Sequence, residues 1–188
     1  MASCQACELA QHRNRVVPGE GSASADVLFI GEAPGWHEDQ QGRPFVGPAG
    51  QYLNQLLGMA GLQREDVYIC NVIKCRPPGN RDPLPSEIQA CRAWLERQIE
   101  LIKPRVVVTL GRYSMARYFP GAAISKVHGK HIMREGLIYF AMYHPAAALH
   151  QQSLRRVIEE DMLKLRDVLS EMEQVPEEAK GPKQLSMF

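Results

Sequence analysis

Residues 31–50 read GEAPGWHEDQQGRPFVGPAG, and the fold is decided by how this stretch is read. A short apolar run, Asp26-Val27-Leu28-Phe29-Ile30, precedes it, with the length and β-branched content of a buried strand. The stretch itself holds five glycines, three prolines and three acids, with Trp36 and Phe45 among them. An amphipathic segment begins near Pro48. A strand running into a glycine-rich loop and then a helix is where open α/β sheets place ligands, beyond the strand's carboxyl end.

Outward from there, strands and helices alternate. A helix from about Pro48 carries Leu53, Leu56, Leu57 and Ala60 on one face, and Gly61 stops it. Residues 67–72 form a second strand that enters a loop with four prolines and a glycine between 77 and 85. Residues 85–102 form a helix with inward Ile88, Cys91, Leu95, Ile99 and Ile102. Residues 105–110 are a third strand, followed by a short helix from Gly111 to near Phe119. Residues 137–143 are a fourth strand running into His144-Pro145. Ser153 caps a last helix on Leu154, Val157, Ile158, Met162, Leu165 and Leu169. This alternation predicts a mostly parallel sheet covered on both faces. Right-handed crossovers then bring Gly31, Asn71 and His144 to one edge.

The 188 residues carry a net charge of +1, and the first 170 are weakly basic because four acids and two lysines lie in the last eighteen. Such a balance permits a nucleic-acid partner without requiring one. No apolar run reaches the roughly 18 residues of a membrane span, so a cytoplasmic, nucleoid-associated monomer without a membrane partner is expected. No dinucleotide fingerprint, P-loop or nucleophile elbow is present, which disfavours hydride transfer, ATP hydrolysis and ester hydrolysis.

Five cysteines argue against a closed disulfide framework. Cys4-x2-Cys7 is the usual half of a tetrahedral metal or iron–sulfur site, and two of Cys70, Cys75 and Cys91 would complete it. Cys70, in an apolar run, reads as a core residue. By spacing alone, zinc and a cubane cluster are both open.

Five blocks in order, GEAPGWHEDQQGRPFVGPAG, CNVIKCRPPGNRDP, Cys91, KPRVVVTLG and YHPAAAL, resemble the type-4, iron–sulfur branch of the uracil-DNA glycosylase superfamily from Cys4 to about Leu169. The resemblance implies a three-layer α/β/α fold with a central four-stranded parallel sheet. It implies hydrolysis of the N-glycosidic bond of flipped uracil in DNA, in base excision repair. It further implies a 4Fe-4S cluster on Cys4, Cys7, Cys75 and Cys91, with Cys70 outside. Phe45 matches the platform for the flipped base, Asn71 the reader of uracil N3–H and O4, and His144 the donor to O2. Gly31 and Ala33 belong to the substrate loop. The family's best-known members carry an aspartate where Ala33 stands, so the water is assigned to Glu38 with Asn80, and Glu32 is read as an orienter. Gly35 stands where other branches wall off thymine's methyl group. Leu149 matches the wedge that fills the gap in the duplex, and Arg76, Arg81, Lys126, Lys130 and His131 are candidate phosphate contacts. The alternative is a non-catalytic or covalent binding module for damaged or abasic DNA, motivated by Ala33.

Residues 1–170 are expected to form the glycosylase domain with its N-terminal iron–sulfur segment. Residues 171–188 are expected to be a flexible acidic tail. Its Gln184-Leu185-Ser186-Met187-Phe188 resembles the pentapeptide with which bacterial repair proteins dock on the sliding clamp.

Overall fold

A computed structural model describes residues 1–174. Its centre is one sheet in the order β1-β3-β2-β4-β6-β5. Strands β2 (Val27–Gly31), β3 (Tyr68–Asn71), β4 (Val106–Leu110) and β6 (Leu137–Met142) are mutually parallel. The two edges are antiparallel: β1 (Glu20–Gly21) on β3, and β5 (His131–Arg134) on β6. The sheet is therefore mixed and six-stranded, which corrects the expected four-stranded parallel sheet. The parallel centre matches the apolar runs. Both edges escaped because a two-residue strand has no periodicity and β5 is largely exposed, so pairing alone defines them.

Alternation along the central strands divides the core. Val27 and Phe29 of β2 join Val106, Val108 and Leu110 of β4 in one apolar cluster. Leu28, Ile30 and Val107 join the other. The first cluster is closed by α3 (Pro48–Met59) through Leu53, Leu56 and Leu57, and by α8 (Ser153–Gln174) through Ile158, Met162 and Leu165. The second is closed by Leu9 of α1 (Leu9–His12), Leu95 and Ile102 of α4 (Pro85–Ile102) and Met115 of α5 (Arg112–Met115). Cys70 is fully buried in that second cluster, as its apolar run implied.

Short helices occupy stretches to which the apolar periodicity assigned no element. They are α2 (Trp36–Gln41), α6 (Ile124–Val127) and α7 (Pro145–His150). Asp39 of α2 is fully buried and accepts from the backbone N–H of Asn14 at 2.9 Å, which ties the N-terminal segment down. Asp161 of α8, equally buried, meets His128 Nδ1 at 2.7 Å and Lys164 Nζ at 2.9 Å, anchoring the α6–β5 connection. Helix α8 continues four residues past the boundary drawn at 170, and the Gln184–Phe188 motif lies outside the described residues. Among those described, no helix is long and apolar enough to cross a membrane.

Candidate active site

The carboxyl ends of β2, β3 and β6 open into a cavity of about 470 Å³, within the range of small-ligand sites. Of the expected residues, Glu32, Ala33, Glu38, Phe45, Asn71, Asn80 and His144 line it. Gly31 and Leu149 do not. Gly31 lies beneath, where a Cβ would stand 2.4 Å from Asn71 Oδ1 and 2.6 Å from Phe45 Cζ. Only glycine lets those two side chains meet over the end of β2.

Asn71 ends β3 and is almost wholly buried, yet its Oδ1 has no hydrogen-bond partner. Leaving a buried carbonyl oxygen unpaired costs about 1–3 kcal/mol, so the atom is poised for a donor from outside the protein. Below it, Lys74 is also fully buried and donates from Nζ to the Asn71 backbone carbonyl at 2.6 Å.

Phe45 is a non-glycine residue in the left-handed region, with φ +52°. For a bulky side chain such a conformation costs on the order of 1–3 kcal/mol and persists only where neighbours enforce it. One neighbour is Gly50, where a Cβ would collide with the Phe45 carbonyl oxygen at 1.8 Å. Another is Arg64, whose guanidinium donates to the Pro44 and Phe45 carbonyls. The Phe45 ring stacks on His144, with centroids 5.5 Å apart and planes at 26°.

His144 caps α7. Its Nδ1 accepts from the Ala146 N–H at 3.1 Å, so in the neutral ring the proton sits on Nε2 and is free to be donated. Burial pushes its pKa down to about 4 against a smaller opposing pull from Glu38. The ring is therefore a neutral donor throughout the physiological range.

The carboxylates divide. Glu38 is consumed by the backbone: Oε1 accepts from the N–H groups of Val46 and Gly47, both at 2.8 Å, and Oε2 from that of Gly35 at 3.1 Å. It pins the two halves of the glycine-rich loop together. Its Oε2 also lies 2.9 Å from where a Cβ on Gly35 would stand, so the carboxylate fills the space that glycine leaves. Glu32, half-buried on the pocket wall, makes no side-chain hydrogen bond among the described residues. Burial, then the neighbouring Asp82, raises its pKa above the usual carboxylate value, while Arg112 opposes. Asn80, at φ +55°, turns its Oδ1 to Arg76 Nε at 2.7 Å.

Leu149, on α7, is 52% exposed beside the pocket and lines a shallow neighbouring groove. Arg81 forks onto Glu87 at 2.6 and 2.9 Å and is charge-paired, whereas Arg76 is held at Nε by the neutral amide of Asn80 and keeps its charge. Lys126, Lys130 and His131 are exposed. Asp82 and His150 also line the pocket without having been expected there, and Arg112 pairs with Asp82 across its rim. Asp82 shares the Pro/Gly loop of Asn80, which was the available signal. Arg112, two residues past β4, had none.

The metal expectation does not survive. Cys4, Cys7, Cys75 and Cys91 do line one cavity, with Arg13 and Trp94, but it offers about 20 Å³, room for roughly one water molecule. Among the described residues, no group of three or more His, Cys, Asp or Glu side chains could hold a metal ion. Burial raises the thiol pKa of Cys75 and pushes that of Cys91 up to about 11, while a hydrogen bond from the Ala6 backbone lowers that of Cys4. Arg13 bridges the segment instead, donating to Cys75 Sγ at 3.4 Å and to the Cys4 carbonyl at 2.7 Å. The Cys-x2-Cys spacing identified a convergent cluster of thiols, and the 4Fe-4S and metal-binding reading of it is set aside.

Comparison with known proteins bears on this pocket. The model of the uracil DNA glycosylase superfamily matches residues 18–166. The chain is 48% identical over 176 residues to the type-4 uracil-DNA glycosylase of Sulfurisphaera tokodaii, covering 88% of this chain and 80% of that one. It is 45% identical over 175 residues to the type-4 enzyme of Archaeoglobus fulgidus, covering 88% of each. A type-5 uracil-DNA glycosylase of Pyrobaculum aerophilum is 33% identical over 150 residues, covering 70% of this chain and 66% of that one.

Proposed function

The chain belongs to the uracil DNA glycosylase superfamily, in its type-4 branch, and excises uracil from DNA; we propose that it does so in the pocket between Phe45, Asn71 and His144. It is a hydrolase of the N-glycosidic bond, and its substrate is uracil-containing DNA. The observation that carries the assignment is the orphaned, buried Asn71 Oδ1 of a residue that lines one pocket with the Phe45 ring and the neutral His144 imidazole.

The reaction requires an extrahelical base, because the C1′–N1 bond is inaccessible inside the stack. Uracil enters over the Phe45 ring. Asn71 Oδ1 accepts from N3–H and its Nδ2 donates to O4. Cytosine presents the reverse pattern at those atoms and leaves both ends of the amide unpaired. As C1′–N1 breaks, its electron pair moves onto the base, and His144 Nε2–H donates to O2 where the charge gathers. Water adds to C1′ and gives up its proton to a carboxylate. Glu32 is the better candidate for that carboxylate than Glu38, because its oxygens are free whereas those of Glu38 are held by three backbone N–H groups. Glu38 instead stands over Gly35 as the wall against a C5 methyl group, and Asn80 steadies the water from the opposite loop.

The two carboxylates are separable by pH. Glu32 must be ionised to take the proton, and its raised pKa means that it protonates at a higher pH than an ordinary carboxylate as the solution is acidified. The rate should therefore fall on an acid limb lying above that of an ordinary carboxylate, with His144 contributing nothing until about 4. Single-turnover rates of uracil release across about pH 4 to 8 test this. Glu32→Gln should slow the reaction and remove the limb, and an unchanged limb in that variant would return the role to Glu38.

The same reading extends to residues 184–188 as a peptide that docks on a bacterial sliding clamp, a tether that raises local concentration at DNA without new contacts to it. Titration of the chain, and of a version ending at Lys183, against such a clamp should give binding by the longer protein alone. Equal binding by both would exclude the motif.

A further inference from the structure

We infer that Arg64, which lies outside the pocket, is a positioning residue that sets the aromatic platform by gripping the two carbonyls on either side of the Phe45 α-carbon. The inference rests on Phe45 being that platform. The Pro44 carbonyl belongs to the peptide plane entering Phe45 and the Phe45 carbonyl to the plane leaving it, so their relative orientation is the φ and ψ of residue 45. One rigid guanidinium bonds both, through Nη2 to Pro44 and through Nη1 to Phe45 at 3.2 Å. It thereby holds a phenylalanine at φ +52°, where an aromatic side chain does not settle unaided.

Arg64 is itself fixed from two further directions. Nη1 also reaches Asn54 Oδ1 on α3 at 3.1 Å, and Nε faces Glu20 Oε1 at 3.4 Å. Glu20 is clamped by Arg43 at 2.6 and 2.7 Å, and it sits on β1, the short edge strand paired with the one that ends in Asn71. The side chain is only 17% exposed and its donors are turned inward, so it is not placed to meet a phosphate. From the inner side Glu38 holds the next two N–H groups, of Val46 and Gly47. The loop is thus gripped by its carbonyls from outside and by its amides from within. Lysine cannot substitute fully, because a single ammonium lacks the planar fork that meets two carbonyls at fixed spacing.

The test is a double-mutant cycle between Arg64→Met and Phe45→Leu, read as single-turnover uracil release, with affinity for uracil-free oligonucleotide measured alongside. Arg64→Met should lower the rate by about 10- to 100-fold, the scale of a misplaced contact, and leave that affinity unchanged. In the Phe45→Leu background the same change should cost less than about threefold, since there is no ring left to position. Arg64→Lys should recover part of the loss. If Arg64→Met folds poorly, Glu20→Gln serves in the same cycle, with a smaller loss that again requires Phe45. An active Arg64→Met beside a damaged Phe45→Leu, or equal losses in both backgrounds, would overturn the inference alone. A fully active Phe45→Leu would overturn the platform reading and the inference with it.

Discussion

Replacing His144 with alanine is expected to slow uracil release by about 100- to 1000-fold, the usual cost of losing a donor aimed at developing charge. The loss should fall on the chemical step, with affinity for uracil-containing DNA little altered, because the charge on O2 exists only as the bond breaks. His144 also caps α7 through Nδ1, so alanine should cost the fold on the order of 1 kcal/mol as well. His144→Asn separates the two roles. Its side-chain oxygen can still accept from the Ala146 N–H, restoring thermal stability, but it offers no donor where Nε2 stands. Stability recovered without activity is the expected signature. Recovery of both would show that the histidine acts only as a cap.

Replacing Asn71 with alanine should be as damaging to activity and harmless to the fold. Two hydrogen bonds to the base, at about 1.5–2 kcal/mol each, correspond to roughly 100- to 1000-fold in kcat/KM. In the free protein, however, Asn71 Oδ1 satisfies nothing. Removing it relieves a buried unpaired carbonyl, so the midpoint of thermal unfolding should stay level or rise. Discrimination against cytosine should weaken in parallel, since the amide is what distinguishes the two bases. A variant that loses stability along with activity would mean that Asn71 holds the fold instead of the substrate.

The parts of this site legible in the sequence are those that local chemistry dictates. The apolar runs of β2, β3, β4 and β6 put Gly31, Asn71 and His144 at strand ends, and parallel crossovers bring those ends together. Phe45 was legible only through resemblance, because nothing in Gly-Arg-Pro-Phe-Val-Gly announces a left-handed phenylalanine. What stayed hidden depends on contacts distant in the chain. Arg64 reaches back 19 and 20 residues to its carbonyls, and Glu20 reaches 44 residues forward to Arg64. Glu38 looked like a free acid in the sequence and is spent on backbone amides in the fold. The cysteines were misjudged for a related reason: spacing brings thiols near one another but does not set the room between them, and here that room is about one water molecule.

The central claim is that this pocket cuts uracil from DNA, and the most direct measurement is the identity of the base released from oligonucleotides carrying a single uracil, cytosine or thymine. The wild-type chain should release free uracil alone and leave an abasic site. Asn71→Ala, equally folded, should release it at least about 100-fold more slowly. Uracil release undiminished by Asn71→Ala would contradict the account, as would a folded wild-type chain that binds uracil-containing DNA and releases no base.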